Sequence, residues 1–131
     1  MGVARVTRVT FVHRETVRFS DIDTLGHMNN AVYATLVEQA RIGFLSPKGA
    51  DAENMILARL EIDFRAPVEF GQTVEITVTP TRVGTKSFDL EYVLRAADQV
   101  VAEAKTVLVA YDYDRASSIE LPAEWKERLA A

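Results

Sequence analysis

Asp21-Ile-Asp-Thr-Leu-Gly-His-Met-Asn-Asn30 runs without a break into the apolar segment Ala31 to Leu45, and the rest of the chain is organised around that junction. Carboxylates, a glycine, an imidazole and a pair of amides precede a predicted helix whose first N–H groups have no partner inside it. Such a junction can activate water and hold an oxyanion together. Backbone donors and the positive end of the helix dipole point at whatever sits there, while Asp23 and His27 can accept or pass a proton. The alternative is structural: Asp21 or Asp23 and Asn29 or Asn30 cap the helix and shape the turn, as Asp and Asn commonly do.

The segment Ala31 to Leu45 carries apolar residues on nearly every face, with Glu38 and Arg41 its only charges. A helix apolar all round is a buried helix. Glu38 and Arg41 lie three apart, the spacing of an ion pair along one helix face. Gly43 disfavours a helix interior and marks either close packing or fraying, and Ser46-Pro47-Lys-Gly49 stops the helix. Upstream, residues 8 to 19 alternate imperfectly, with Val9, Phe11, Val17 and Phe19 on one face of a half-buried strand that delivers the junction. His13 reads as a surface residue of that strand.

Downstream the chain reads as sheet. Ile56, Ala58, Leu60, Ile62, Phe64 and Ala66 alternate with Leu57, Arg59, Glu61, Asp63 and Arg65 as far as Pro67. Further alternation follows over Val74 to Val78 and Phe88 to Leu94, with turns at Val83-Gly-Thr-Lys86 and Ala97-Asp-Gln99. The last long strand, Val100 to Tyr113, puts Ala102, Ala104 and Ala110 on one face, where another element can approach closely. A short amphipathic helix, Ala123 to Leu129, follows Pro122. One long buried helix with about five strands on short connections predicts an α+β domain with an antiparallel sheet. A ~16-residue helix spans roughly 24 Å and strands of ~8 to 12 residues about 26 to 40 Å, so the sheet can wrap the helix along its length. The other sheet face leaves Leu57, Val93, Val101, Val107 and Val109 on or near a surface needing a partner, which predicts a homo-oligomer.

Composition bounds the function. The 131 residues fit a single domain, and 48% apolar with 26% charged content is that of an ordinary globular protein. Cysteine is absent, so disulfide, thiolate and Cys-based zinc chemistry are excluded. A net charge of −4 argues against nucleic-acid binding. No run reaches membrane-spanning length and no signal peptide opens the chain, so a cytoplasmic location is expected.

The run Val17-Arg-Phe-Ser-Asp-Ile-Asp-Thr-Leu-Gly-His-Met-Asn-Asn-Ala-Val-Tyr33, followed by Glu38-Gln-Ala-Arg41, resembles the hotdog-fold acyl-CoA thioesterases. It is most similar to the branch of 4-hydroxybenzoyl-CoA thioesterase and the bacterial long-chain acyl-CoA thioesterases, with plant acyl-ACP thioesterases more distant. The resemblance implies a hotdog fold, in which a long central helix is wrapped by an antiparallel sheet of about five strands. It places the catalytic carboxylate on Asp23, the oxyanion donor on a backbone N–H at or near Asn30, and a further catalytic position on His27. Gly26 and Tyr33 of the same run, with Arg82, Lys86 and Ser87 near the later turn, are the substrate-binding candidates it implies. That turn is often used across a subunit boundary to hold the phosphates of coenzyme A, and Arg65 is a further candidate for them. The implied substrate is acyl-CoA, with an acyl carrier protein as the alternative donor and a homodimer or homotetramer as the assembly. A thiolate is already a good leaving group, so no metal or other cofactor is required.

Oxyanion donors of this kind are each worth about 2.7 to 4 kcal/mol of barrier. Asp23 is then either a general base toward water or a nucleophile forming a mixed anhydride. Rival readings are a dehydratase using His27 and Glu38, a non-catalytic acyl-CoA or acyl-carrier binding module, and a metal site of Asp21, Asp23, His27 and Glu38.

Overall fold

The computed structural model describes residues 10–46 and 54–130, so Val9 and the helix stop at Pro47 to Gly49 lie outside the described residues. Strands β1 (Phe11–Thr16), β2 (Met55–Phe64), β3 (Thr73–Val83), β4 (Ser87–Ala96) and β5 (Gln99–Asp112) form an antiparallel sheet in the order β1-β3-β4-β5-β2. A two-residue strand, β6 (Ser117–Ser118), pairs with β5. Helix α1 (Asn30–Leu45) lies along one face of the sheet, and α2 (Ala123–Ala130) packs against α1. This is the hotdog arrangement.

Helix α1 begins where Asn29 caps it: the Asn29 side chain accepts the Ala31 N–H at 3.0 Å. Tyr33, Leu36, Val37, Ala40 and Phe44, spaced by three or four residues, are buried, whereas Thr35, Glu38 and Gln39 are exposed. Burial is therefore one-sided rather than all round, because the sheet covers a single face of the helix. Gly43 marks close packing: a Cβ there would lie 3.2 Å from the Phe11 ring of β1. Arg41 is buried beside the Tyr92 hydroxyl, which hydrogen-bonds to Thr106 at 2.7 Å. The Glu38–Arg41 pair forms as the spacing predicts, at 3.7 Å.

The inner sheet face alternates as expected, with Val74, Ile76, Val78, Leu90, Leu94 and Leu108 fully buried. Ala102, Ala104 and Ala110 lie on the same face, also buried. Bulges shift the outer-face expectation at two positions. The β4–β5 register steps from Leu94 opposite Ala102 to Arg95 opposite Val100, and the skipped Val101 is buried in the core. In β2 the register skips Ala58, which puts Leu57 opposite Leu108 on the inner face. Val93, Val107 and Val109 remain half-buried on the outer face.

Phe19 departs from the strand reading. Strand β1 ends at Thr16 and a 3-10 turn covers Phe19–Asp21, so the Phe19 ring swings outward, 80% exposed, to meet Phe70 edge to face at 6.0 Å. Strand β2, for all its alternation, is a sheet edge paired only with β5 among the described residues, and its inner-face residues Leu57, Leu60 and Phe64 stay 40%, 37% and 50% exposed. Helix α2 matches its predicted place and buries Trp125 against Phe88, ring centroids 5.9 Å apart. No described helix is long and apolar enough to cross a membrane.

Candidate active site

Residues 21 to 29 form a tight hairpin. The Asn29 N–H donates to the Asp21 carbonyl at 2.8 Å, Ile22 bridges Met28, the Asp23 N–H donates to the His27 carbonyl at 2.9 Å, and the Gly26 N–H returns to the Asp23 carbonyl at 3.1 Å. Gly26 holds φ +87°, the left-handed region that a side chain disfavours, with open space where a Cβ would be. The returning arm is pinned from outside, since the Met28 N–H donates to the Val68 carbonyl at 2.7 Å.

The structural and chemical readings of this hairpin both apply, to different atoms. Asn29 is the helix cap. Asp23 Oδ1 accepts the Leu25 N–H at 2.8 Å and so shapes the turn, but Oδ2 accepts no hydrogen bond among the described residues. The Asn30 N–H, at the first turn of α1, likewise finds no acceptor among them. Asp21 lies elsewhere: its carboxylate accepts the Arg18 N–H at 2.8 Å and the Arg18 guanidinium at 3.0 and 3.3 Å. The hydrogen bond from Arg18, reinforced by its charge, outweighs burial and holds the Asp21 carboxyl below its ordinary value.

Asp23, His27, Asn30 and Tyr33 line one depression of about 370 Å³, walled on the far side by Phe64, Arg65, Ala66 and Pro67. That volume lies within the range of small-molecule sites. Tyr33 joins the two walls. Its hydroxyl donates to the Ala66 carbonyl at 3.2 Å and its ring meets Phe64 edge to face at 5.0 Å, while burial raises the phenol above its ordinary value. Gly26 shapes the hairpin without lining the depression.

The remaining candidates stand apart. Arg82 donates to Ser87 at 2.9 Å and to Asp89 at 2.8 Å, and the Asp89 hydrogen bond holds its guanidinium more firmly charged. Phe64 sits level with Ala102 and Leu94, whereas Ser87 pairs with Val109 seven residues further along β4. The turn bearing Lys86 is thus roughly 23 Å along the sheet from the Asp23 depression. Arg65 lines the depression but is paired with Glu103 at 3.0 Å. Glu38 is 53% exposed at its side chain and does not line the depression with His27. No group of three or more His, Asp or Glu side chains among the described residues is placed to hold a metal ion. Phe64, Ala66 and Pro67 are wall residues beyond the sequence candidates; the break of alternation at Pro67 signals where the strand ends but not what it faces.

An antiparallel sheet of this strand order packed on one long helix is the fold of the thioesterase-like hotdog proteins. The chain matches the family described as the thioesterase-like superfamily over residues 17–129, and it belongs to that family. It is 27% identical to the 1,4-dihydroxy-2-naphthoyl-CoA hydrolase of Nostoc punctiforme over 88% of this chain and 84% of that protein. It is 29% identical to the long-chain acyl-CoA thioesterase FadM of Escherichia coli over 86% of this chain and 92% of that one. A thioesterase of Thermus thermophilus, solved with coenzyme A and Zn, shares 32% identity at a TM-score of 0.81, covering 92% of this chain and 98% of that one.

Proposed function

We propose that the protein hydrolyses an acyl-CoA thioester to the free acid and coenzyme A. The observation that carries this reading is that Asp23 and Asn30 line one depression while Asp23 Oδ2 and the Asn30 N–H are each without a partner among the described residues. The thioester carbonyl oxygen accepts the Asn30 N–H, which with the helix dipole stabilises the oxyanion as it develops. Acting as base, Asp23 takes a proton from water as the water oxygen bonds to the carbonyl carbon. Collapse of the tetrahedral intermediate breaks the C–S bond, and the thiolate leaves to be protonated. Acting as nucleophile, Asp23 itself displaces the thiolate to give a mixed anhydride that water then cleaves. His27 lines the same depression, which supports a proton-relay role for it in either route. Label from ¹⁸O-water found in the Asp23 side chain after a single turnover identifies the nucleophilic route, since it enters there only when water attacks the anhydride on the Asp23 side, and trapping of the anhydride with hydroxylamine detects that route when water attacks the acyl side.

Coenzyme A is favoured over an acyl carrier protein because the relatives from Nostoc and Escherichia coli are named for CoA thioesters. The distance between the Asp23 depression and the Lys86 turn within one chain favours a homodimer in which the partner brings its Lys86 turn to this depression. The free edge of β2, with Leu57, Leu60 and Phe64 beside it, suits the contact between two copies. Pairing two such dimers would give a tetramer. A thiol-release assay over aliphatic and aromatic acyl-CoAs tests the activity. Turnover of at least one class is expected, and binding without release across the panel would leave a non-catalytic acyl-CoA module.

A further inference from the structure

We propose that Asp21 is a positioning residue that holds Asp23 and the Asn30 N–H in their mutual geometry; this rests on the catalytic reading of those two groups. Asp21 is 7% exposed, its carboxylate is held by Arg18, and it does not line the Asp23 depression. It lines a separate hollow beside Glu15, Thr16, Arg18, Val32 and Thr35, which shares no lining residue with the Asp23 depression. It therefore does not touch the proposed substrate position. Its hydrogen bonds run to both arms of the structure that does. The carboxylate closes the 3-10 turn at the outgoing arm through the Arg18 N–H at 2.8 Å and clasps the Arg18 guanidinium at 3.0 Å. The carbonyl of the same residue receives the Asn29 N–H at 2.8 Å, and Asn29 is the cap that sets the first turn of α1.

Asp21 thus anchors the outgoing arm at Arg18 through its side chain and closes the hairpin onto the helix start through its backbone. Asp23 lies two residues beyond it and Asn30 one residue beyond its partner. Removing the carboxylate leaves the backbone bonds of the hairpin but takes away the side-chain anchor that fixes its outgoing arm to Arg18, so Asp23 and the Asn30 N–H are held less rigidly at their mutual separation. An oxyanion donor and a carboxylate must both reach the same carbonyl, and misplacement by about 1 Å can cost on the order of 10²-fold in rate.

The test compares Asp21→Ala, Asp21→Asn, Arg18→Ala and Asp23→Asn in the thiol-release assay, with kcat expressed per folded molecule. Asp21→Ala is expected to lower kcat by about 10- to 10²-fold with KM nearly unchanged, because the coenzyme A contacts lie elsewhere. Asp21→Asn retains an oxygen that can accept the Arg18 N–H and should recover most of the loss. Arg18→Ala keeps that N–H while removing the guanidinium and should fall between the two; it carries the test if Asp21→Ala does not fold. Normal kcat per folded molecule in Asp21→Ala, or in Arg18→Ala where that variant stands in, with Asp23→Asn inactive, overturns the positioning role alone. Normal turnover in Asp23→Asn overturns the catalytic reading and the positioning role with it.

Discussion

The Asp23 carboxylate accepts the N–H of Leu25, two residues ahead, at 2.8 Å through Oδ1 alone. An asparagine at this position keeps an oxygen for that bond and so keeps the turn, yet it can neither take a proton from water nor attack a thioester. Asp23→Asn is therefore expected to lower kcat by about 10² or more, the scale of general acid–base and covalent contributions, with little change in melting temperature. Near wild-type turnover on the best acyl-CoA would remove Asp23 from the mechanism.

Lys86 is exposed and makes no ion pair among the described residues, whereas the neighbouring Arg82 is committed to Asp89 at 2.8 Å. If the Lys86 turn holds the phosphates of coenzyme A, Lys86→Ala raises KM and leaves kcat close to wild type. Added salt should raise the wild-type KM more than that of the variant, because screening weakens a contact the variant already lacks. Equal KM values would return Lys86 to the role of a solvated charge.

Leu60 stands 37% exposed on the inner face of edge strand β2. Light scattering of the wild-type protein at micromolar concentration should give the mass of two or four chains. Leu60→Glu places a charge on the proposed contact and should shift that mass toward the single chain, with thioester turnover falling in parallel because the depression loses its phosphate-binding turn. A wild-type protein that is monomeric across this range contradicts the shared site.

Arg18 lowers the folded-state pKa of Asp21. A carboxyl of this kind contributes stability above its unfolded value of about 3.9, and that contribution is lost as the pH falls through the lower folded value. Urea unfolding from neutral pH down to pH 2 should show an acid-side loss of stability in the wild type that is smaller in Asp21→Asn. Identical acid profiles for the two proteins would show that the Arg18 contact does not persist in solution.

The sheet, the helix and the hairpin were legible because each rests on local sequence. Period-2 alternation marks β3 and β4, the Asn29 cap starts α1, and Asp23 with Gly26 closes the turn. What escaped local reading were register and rotation. A single bulged residue carries Val101 into the core and another turns Leu57 to the inner face; the apolar runs Ile56-Leu57-Ala58 and Val100-Val101-Ala102 interrupt the alternation there but do not say which residue the ladder skips. The outward swing of Phe19 depends on the 3-10 turn that Asp21 closes onto Arg18, a contact between side chain and backbone rather than a pattern. For the candidate site, the Asp23, His27, Asn30 and Tyr33 wall came from one contiguous motif. The facing wall of Phe64, Ala66 and Pro67 is some thirty residues away in sequence and is brought in by the pairing of β2 with β5 and by the Tyr33 hydroxyl.

Trp125 is the only tryptophan in the chain, and it is sealed against Phe88 at the end of the sheet that carries Lys86 and Ser87. Its intrinsic fluorescence is consequently a local optical reporter of that end. A quencher in solution reaches the indole only when α2 lifts away, and an acyl group confined to the Asp23 depression lies too far off to touch it. Emission thus separates, without any added label, events at the turn beside β4 from events at the hairpin beside α1.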